Sequence, residues 1–189
     1  ELAKLERALQ QAASGERQVT FVSGEAGIGK TTLVATFVDG VRRRGGAWVA
    51  HGQCIRRHGE HEPYMPVLEA LGRLAQQHGD AIVARLRTHA PSWLVQLPWL
   101  ATPEELHVLH LGHAGTTRER MLRMFLQLTD ELTREAPLVL VLEDLHWADS
   151  ATIEVLGRLV REVPSAPIFL VLTARPEFSP AFATTGVLQ

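Results

Sequence analysis

The stretch from Gly24 to Thr31 has the residue types and spacing of a loop that cradles phosphate groups. It reads GEAGIGKT and fits the pattern G-x-x-x-x-G-K-[ST] in full. The glycines allow successive backbone N–H groups to curl around a phosphate, and the helix that follows adds the positive end of its dipole. Lys30 is expected to reach the β- and γ-phosphates, and the Thr31 hydroxyl is expected to ligate Mg²⁺. The residues predicted to bind nucleotide are Gly24, Glu25, Ala26, Gly27, Ile28, Gly29, Lys30, Thr31 and Thr32.

Two adjacent acids, Glu143 and Asp144, end an apolar run that begins at Pro137. A fold that cradles phosphate needs an acid at this point to hold Mg²⁺ through water, and often a second acid to orient the attacking water. We predict that Glu143 is the metal ligand and that Asp144 activates water. The alternative role, a cap on the helix that starts near Ser150, fits Asp149 better than this pair.

A third apolar run, residues 170–172, is followed by Thr173 and Arg175. If this run is a strand beside the first one, its carboxyl end faces the γ-phosphate, and either side chain could sense that phosphate. Arginine suits the task because its guanidinium stays charged and binds phosphate oxygens at two points. The alternative is a surface arginine just past a strand end. The residues predicted to be catalytic are Asp144, Glu143, Lys30 and Arg175.

Other polar and aromatic groups carry weaker signals. His146 and Trp147 follow the acidic pair directly, so we expect packing for Trp147 and keep His146 as a candidate near the phosphates. Two groupings have the residue types of a zinc site: Cys54 with His58 and His61, and His107 with His110 and His113. The second grouping spreads over a broad helix face, and no carboxylate pattern completes either of them. We therefore predict no metal site other than that for Mg²⁺.

A βαβ unit is predicted around the glycine-rich loop. Val19–Ser23 is rich in β-formers, residues 30–44 have helical character, and Ala47–His51 is a second strand candidate. A unit of about 30 residues implies parallel strands with a right-handed crossover. Apolar residues at helical spacing between Leu2 and Ala12 predict an amphipathic helix before it.

Beyond this unit, residues 52–136 show no convincing strand, and prolines break them into short helical pieces. Strand candidates Leu138–Leu142 and Ile168–Thr173 then flank a helix over Ala151–Val163. Continuous apolar strands that alternate with amphipathic helices are typical of a parallel sheet covered on both faces. The predicted class is α/β, a three-layer sandwich with a mainly parallel sheet and a helical insertion between strands 2 and 3.

The composition narrows the range of functions. The chain has 189 residues, 46% of them hydrophobic, with 19 Lys+Arg against 21 Asp+Glu and a net charge of −2. This balance argues against a segment that binds nucleic acid or an anionic membrane directly. One cysteine, Cys54, excludes an intrachain disulfide and fits a reducing compartment, so we expect a cytoplasmic location.

Three motifs together resemble a known family: GEAGIGKT, LVLVLEDLHWAD and LVLTARPEF. They resemble the STAND class of P-loop NTPases. The likeness is greatest to the AAA-like ATPase module of bacterial LuxR-type and maltose-regulator-type transcription regulators and of adenylate cyclase-linked regulators. HGQCIRRHGEHEPYMPVLEALGRL and TTRERMLRMF are also similar to that module, so the likeness covers nearly the whole chain.

The resemblance implies a switch module that binds Mg-ATP or Mg-ADP, hydrolyses ATP slowly and belongs to a multidomain signalling or transcription regulator. By position, it implies a metal acid at Glu143, a catalytic acid at Asp144 and a sensor at Arg175. Its partners would be the other domains of a longer parent chain and, in the ATP form, further copies of itself.

The chain departs from the family pattern in several places. Many members have Asp where Glu143 stands, and the Gly-Arg motif expected just upstream of Glu1 is missing. The lid, the winged helix and a fifth strand beside the first are expected beyond Gln189. Residues 1–189 are therefore expected to be the P-loop NTPase core, cut at both ends.

Two alternatives stay open. One is an autonomous P-loop enzyme such as a small-molecule kinase, although adjacent acids suit water activation better than transfer to a second substrate. The other is a nucleotide-binding platform that does not hydrolyse, although the intact Lys30 and the two acids argue against it. A GTPase is disfavoured because the sequence has no Asn-Lys-x-Asp signature, and a transporter ATPase because it has no Ser-Gly-Gly signature.

Overall fold

Parallel strands form one sheet in the order β2-β3-β4-β1-β5. The computed structural model describes residues 1–56, 62–113, 116–163, 165–182 and 187–188. The strands are β1 (Gln18–Ser23), β2 (Trp48–Gln53), β3 (Leu138–Glu143), β4 (Ile168–Ala174) and β5 (Val187–Leu188). Helices α1 (Leu2–Ala13) and α2 (Lys30–Arg44) flank β1, and α8 (Ser150–Glu162) connects β3 to β4. The predicted βαβ unit is thus confirmed, and β4 lies beside β1.

Alternating side chains of the central strands build a separate apolar layer on each face of the sheet. In β3 and β4 every residue is buried. Val139 and Val141 pack on the face covered by α1 and α2, together with Phe37, whose ring meets that of Phe169 edge-on. Leu138, Leu140 and Leu142 face the opposite layer of helices. Two covered faces explain why β3 and β4 are continuous apolar runs, and they confirm the α/β class.

The opposite layer consists of α8 and the helices between β2 and β3. The latter are α3 (Met65–His78), α4 (Asp80–His89), α5 (Pro91–Val95), α6 (Pro103–His113) and α7 (Arg118–Glu135). Short 3₁₀ turns cover Pro98–Leu100 and Leu145–Trp147. The helical insertion between strands 2 and 3 is as predicted, but it starts after Gln53, because β2 runs past His51 along β3.

The expectation that the fifth strand lies beyond Gln189 is wrong. Val187 and Leu188 already pair in parallel with Phe21 and Val22 of β1. Two residues are too few to form an alternating or continuous apolar pattern, so the strand leaves no periodic signal in the sequence. No helix in the described part of the chain has both the length and the apolar character needed to cross a membrane.

Candidate nucleotide site

The glycine-rich loop connects the carboxyl end of β1 to the first turn of α2. Gly27 and Gly29 adopt left-handed backbone angles, with φ of 84° and 101°, which side chains other than glycine rarely tolerate. Lys30 begins α2 and turns back over the loop, where its Nζ donates to the carbonyls of Gly24 at 2.6 Å and Glu25 at 2.9 Å. The loop is largely exposed and leads directly into the N-terminus of α2. Backbone N–H groups at such a position form a favourable site for an anion.

Glu143 lies at the end of β3 and is only 5% exposed. Its Oε1 lies 2.8 Å from Nε2 of His51, and its Oε2 is buried with no hydrogen-bond partner among the described residues. Burial by itself raises the pKa of this carboxyl, but the His51 hydrogen bond and the nearby Thr31 hydroxyl outweigh it, so the pKa lies below its ordinary value. An ionised carboxylate with one free buried oxygen, beside a threonine hydroxyl, is a donor set that fits Mg²⁺.

Asp144 leaves the sheet with a left-handed backbone, φ 55° and ψ 43°. Its N–H donates to the Thr173 hydroxyl at 2.9 Å, and Gln53 Nε2 lies 3.4 Å from its Oδ2. Thr173 is buried beneath this turn, so its hydroxyl contacts Asp144 rather than open solvent at the loop. A left-handed conformation at a residue other than glycine is uncommon, and such residues are often found where a side chain is presented for chemistry.

Arg175 follows β4 and is exposed, with its guanidinium carbon 5.6 Å from the centre of the Trp147 ring. Arg56 lies over the same ring at 5.0 Å, and the His146 ring lies 4.9 Å away. Burial lowers the pKa of His146 despite the nearby Asp144 carboxylate, and its Nδ1 is buried without a partner in the described part of the chain. Trp147 therefore packs, as predicted, but it packs against cationic groups at the edge of the site.

Three residues of the site were not predicted from the sequence: His51 and Gln53, which contact the acids, and Arg56, which lies over Trp147. The first two interrupt the apolar pattern of β2 at alternate positions, which is the only signal that they share a face at the end of that strand. Their partners on β3 follow from the parallel register, in which Gln53 pairs with Glu143. No sequence pattern distinguishes Arg56 from other surface arginines.

The candidate zinc ligands are not assembled in the residues that the structure covers, where no group of three or more His, Cys, Asp or Glu side chains could hold a metal. Cys54 is buried, and burial together with the carboxylates of Asp149, Asp144 and Glu69 raises its pKa to about 12. His58 and His61 lie outside the described residues, as does the side chain of His113.

Comparisons with known proteins found a sequence relative and solved structures that are similar to this chain. An uncharacterized protein of Rhizobium meliloti (strain 1021) is 27% identical over 179 residues, which cover 88% of this chain and 17% of that relative. Structural alignment matches this chain to the Drosophila ORC structures bound to AT-rich DNA and Cdc6 (TM-score 0.49, 13% identity) and bound to DNA (TM-score 0.47, 11% identity). Each alignment covers 97% of this chain, with 50% and 83% of the Drosophila chains respectively.

The AAA ATPase domain family matches residues 1–171, which is most of the chain. The match includes the glycine-rich loop and both acids. Members of this family use nucleotide and Mg²⁺, in keeping with the donor set at Thr31 and Glu143. On the strength of this match over its site and its parallel sheet, the chain belongs to the AAA ATPase domain family.

Proposed function

We propose that this chain is a Mg-ATP/ADP-binding switch module with slow ATP hydrolysis, of the STAND type, in a multidomain signalling or transcription regulator. The observation that carries the proposal is the buried Glu143 carboxylate, which has one oxygen without a hydrogen-bond partner among the described residues and lies near the Thr31 hydroxyl. His51 satisfies Oε1, but a buried carboxylate oxygen that accepts no hydrogen bond is costly, and a cation bound at Oε2 would remove that cost. Mg²⁺ at this point would neutralise the charge of a bound triphosphate.

The roles of the side chains follow from their positions. When nucleotide binds, the Lys30 ammonium group gives up its hydrogen bonds to the Gly24 and Glu25 carbonyls and donates to phosphate oxygens instead. It does so because a charged phosphate is the stronger acceptor. Asp144 orients the attacking water, since its carboxylate lies beyond the strand end and its backbone is fixed by Thr173. Arg175 recognises the γ-phosphate by leaving its contact with Trp147.

The proposed switch depends on the γ-phosphate, the group that ATP has and ADP lacks. In this proposal the γ-phosphate, which ADP lacks, lies between Lys30, Asp144 and Arg175. ATP therefore makes contacts at the strand ends that ADP does not make. The partners we propose are the other domains of a longer chain and, in the ATP form, further copies of the module. The Rhizobium relative is long enough for such domains, since this chain covers 17% of its length.

The test is a calorimetric titration of ATP and ADP, each with Mg²⁺, into the wild type and into Lys30→Ala. Saturable binding should be seen in the wild type and lost in the variant. Lys4→Ala is the matched control, because Lys4 is the only other lysine in the sequence and pairs with Glu1 on the exposed face of α1. Equal binding in the Lys30→Ala variant and the wild type would refute the nucleotide site.

A further inference from the structure

His51 lies on β2, the edge strand of the sheet, and its side chain is 15% exposed. Its Nε2 lies 2.8 Å from Glu143 Oε1 on the neighbouring strand β3. An ionised carboxylate can only accept hydrogen bonds, so Nε2 carries the hydrogen and donates it. The two residues are 92 positions apart in the chain, and only the pairing of β2 with β3 brings them together.

The bond leaves the two carboxylate oxygens of Glu143 in different environments. Oε1 is engaged by His51, whereas Oε2 is buried without a hydrogen-bond partner among the described residues. A carboxylate held at one oxygen cannot rotate freely, and so its free oxygen keeps one direction. The backbone is held at the same place, because the Cys54 N–H donates to the Glu143 carbonyl at 2.9 Å.

Helix α3 holds the strand that carries His51. A Cβ placed on Gly52 would lie 1.9 Å from the carbonyl oxygen of Pro66, so the first turn of α3 rests directly on the β2 backbone. The Gln53 N–H in turn donates to Glu69 of α3 at 2.7 Å. His51 is therefore attached to a part of the fold that is anchored on two sides.

We infer that His51 is a positioning residue for the metal site: its Nε2–H holds Glu143 Oε1 so that Oε2 faces a divalent cation or the water bound to it. The inference rests on the proposed function. Hydrogen-bond partners of metal-binding side chains typically contribute 10- to 100-fold to metal affinity. A bond that only joins β2 to β3 would contribute to stability and leave the effect of the metal unchanged.

The test separates the metal-dependent part of nucleotide binding from the rest. ADP is titrated into the wild type, His51→Leu and His51→Gln, once with saturating Mg²⁺ and once with EDTA. In His51→Leu the factor by which Mg²⁺ tightens ADP binding should fall about tenfold or more, while the affinity in EDTA stays the same. His51→Gln keeps an amide donor and should retain the factor within about threefold.

A double-mutant cycle links the effect to Glu143. In a Glu143→Gln background, His51→Leu should not lower the Mg²⁺ factor any further. An unchanged factor in His51→Leu, or an equal loss of affinity in Mg²⁺ and in EDTA, would overturn the inference while leaving the nucleotide site intact. If the wild type showed no effect of Mg²⁺ on binding, the proposed function would fail as well. Should His51→Leu not fold, His51→Ala, which also lacks a hydrogen-bond donor, replaces it in the same comparison with His51→Gln.

Discussion

Asp144 combines an uncommon backbone with a half-buried carboxylate. Its left-handed conformation ends β3 and leads directly into the 3₁₀ turn over Leu145–Trp147. Asp and Asn adopt this region more readily than other residues with a side chain, so the strain is small for either of them. The bond from its N–H to Thr173 fixes the turn to the end of β4.

Asp144→Asn should therefore keep the turn and bind Mg-ATP normally, but hydrolyse it at least about 100-fold more slowly, because the amide cannot accept a proton from water. Phosphate release under single-turnover conditions, with ATP binding followed by calorimetry, measures both. Asp39→Asn makes the same change on an exposed position of α2 and should have no effect. Equal turnover in Asp144→Asn and the wild type would remove the role given to this acid.

Arg175 lies over the Trp147 ring and forms no ion pair within the part of the chain that the structure describes. A cation–π contact at an exposed site is worth only about 0.5–1 kcal/mol, so a phosphate can replace it at little cost. Arg175→Ala should lower the preference for ATP over ADP about tenfold, the scale of a charge-assisted hydrogen bond. Competition titrations measure that ratio, with Arg43→Ala at the exposed end of α2 as control. An unchanged ratio would exclude the sensor role.

At the scale of elements, the edge strand β2 controls what the acids contact. It supplies His51 to Glu143 and Gln53 to Asp144, and its far side is covered by α3. Gly52 lies between these two residues and makes the close approach of α3 possible, since any side chain would collide with the Pro66 carbonyl. The close approach at Gly52 and the Gln53–Glu69 hydrogen bond thus attach the insertion to the strand that carries His51 and Gln53.

Gly52→Ala should lower the free energy of unfolding by at least about 2 kcal/mol, because backbone on both sides has to move apart. Urea unfolding measures the change. Gly112→Ala is a suitable control: a Cβ there meets nothing within 4 Å, and alanine in α6 should add up to about 1 kcal/mol of stability. A Gly52→Ala variant as stable as the wild type would show that α3 is not pressed against β2.

At the scale of the whole molecule, the site collects side chains from four strand ends. All of its parts lie at the carboxyl edge of the sheet: the loop after β1, His51 and Gln53 on β2, the two acids at the end of β3 and Arg175 after β4. Parallel strands have this consequence because all of them end on the same side. Binding of one ligand at this edge therefore restrains the central strands together.

Mg-ATP at about 100 times its Kd should stabilise the folded chain by about 2.7 kcal/mol. For a domain of this size, that raises the Tm by about 5–10 °C. Differential scanning calorimetry should show the shift in the wild type, a smaller one when EDTA removes Mg²⁺, and none in Lys30→Ala. A shift of the same size in the Lys30→Ala variant would place the stabilising ligand elsewhere.

The sequence by itself determined the features that depend on near neighbours. Runs of a few to a few tens of residues encode four of them, because spacing and polarity within a run are enough to predict its structure. These are the glycine-rich loop, the acids at the end of an apolar strand, the buried strands β3 and β4 and the helical insertion. For the same reason the α/β class could be predicted from the alternation of strands and helices.

The tertiary structure decided what depends on register between distant segments. Strand pairing and packing across the sheet edge bring His51 to Glu143 and Gln53 to Asp144. They also place Arg56 and Arg175 over the same tryptophan. No local sequence pattern specifies these contacts. The two-residue strand β5 exists only as a partner of β1. Such contacts form because many weak interactions fix the strands relative to one another, and a side chain's partner is then set by the fold as a whole.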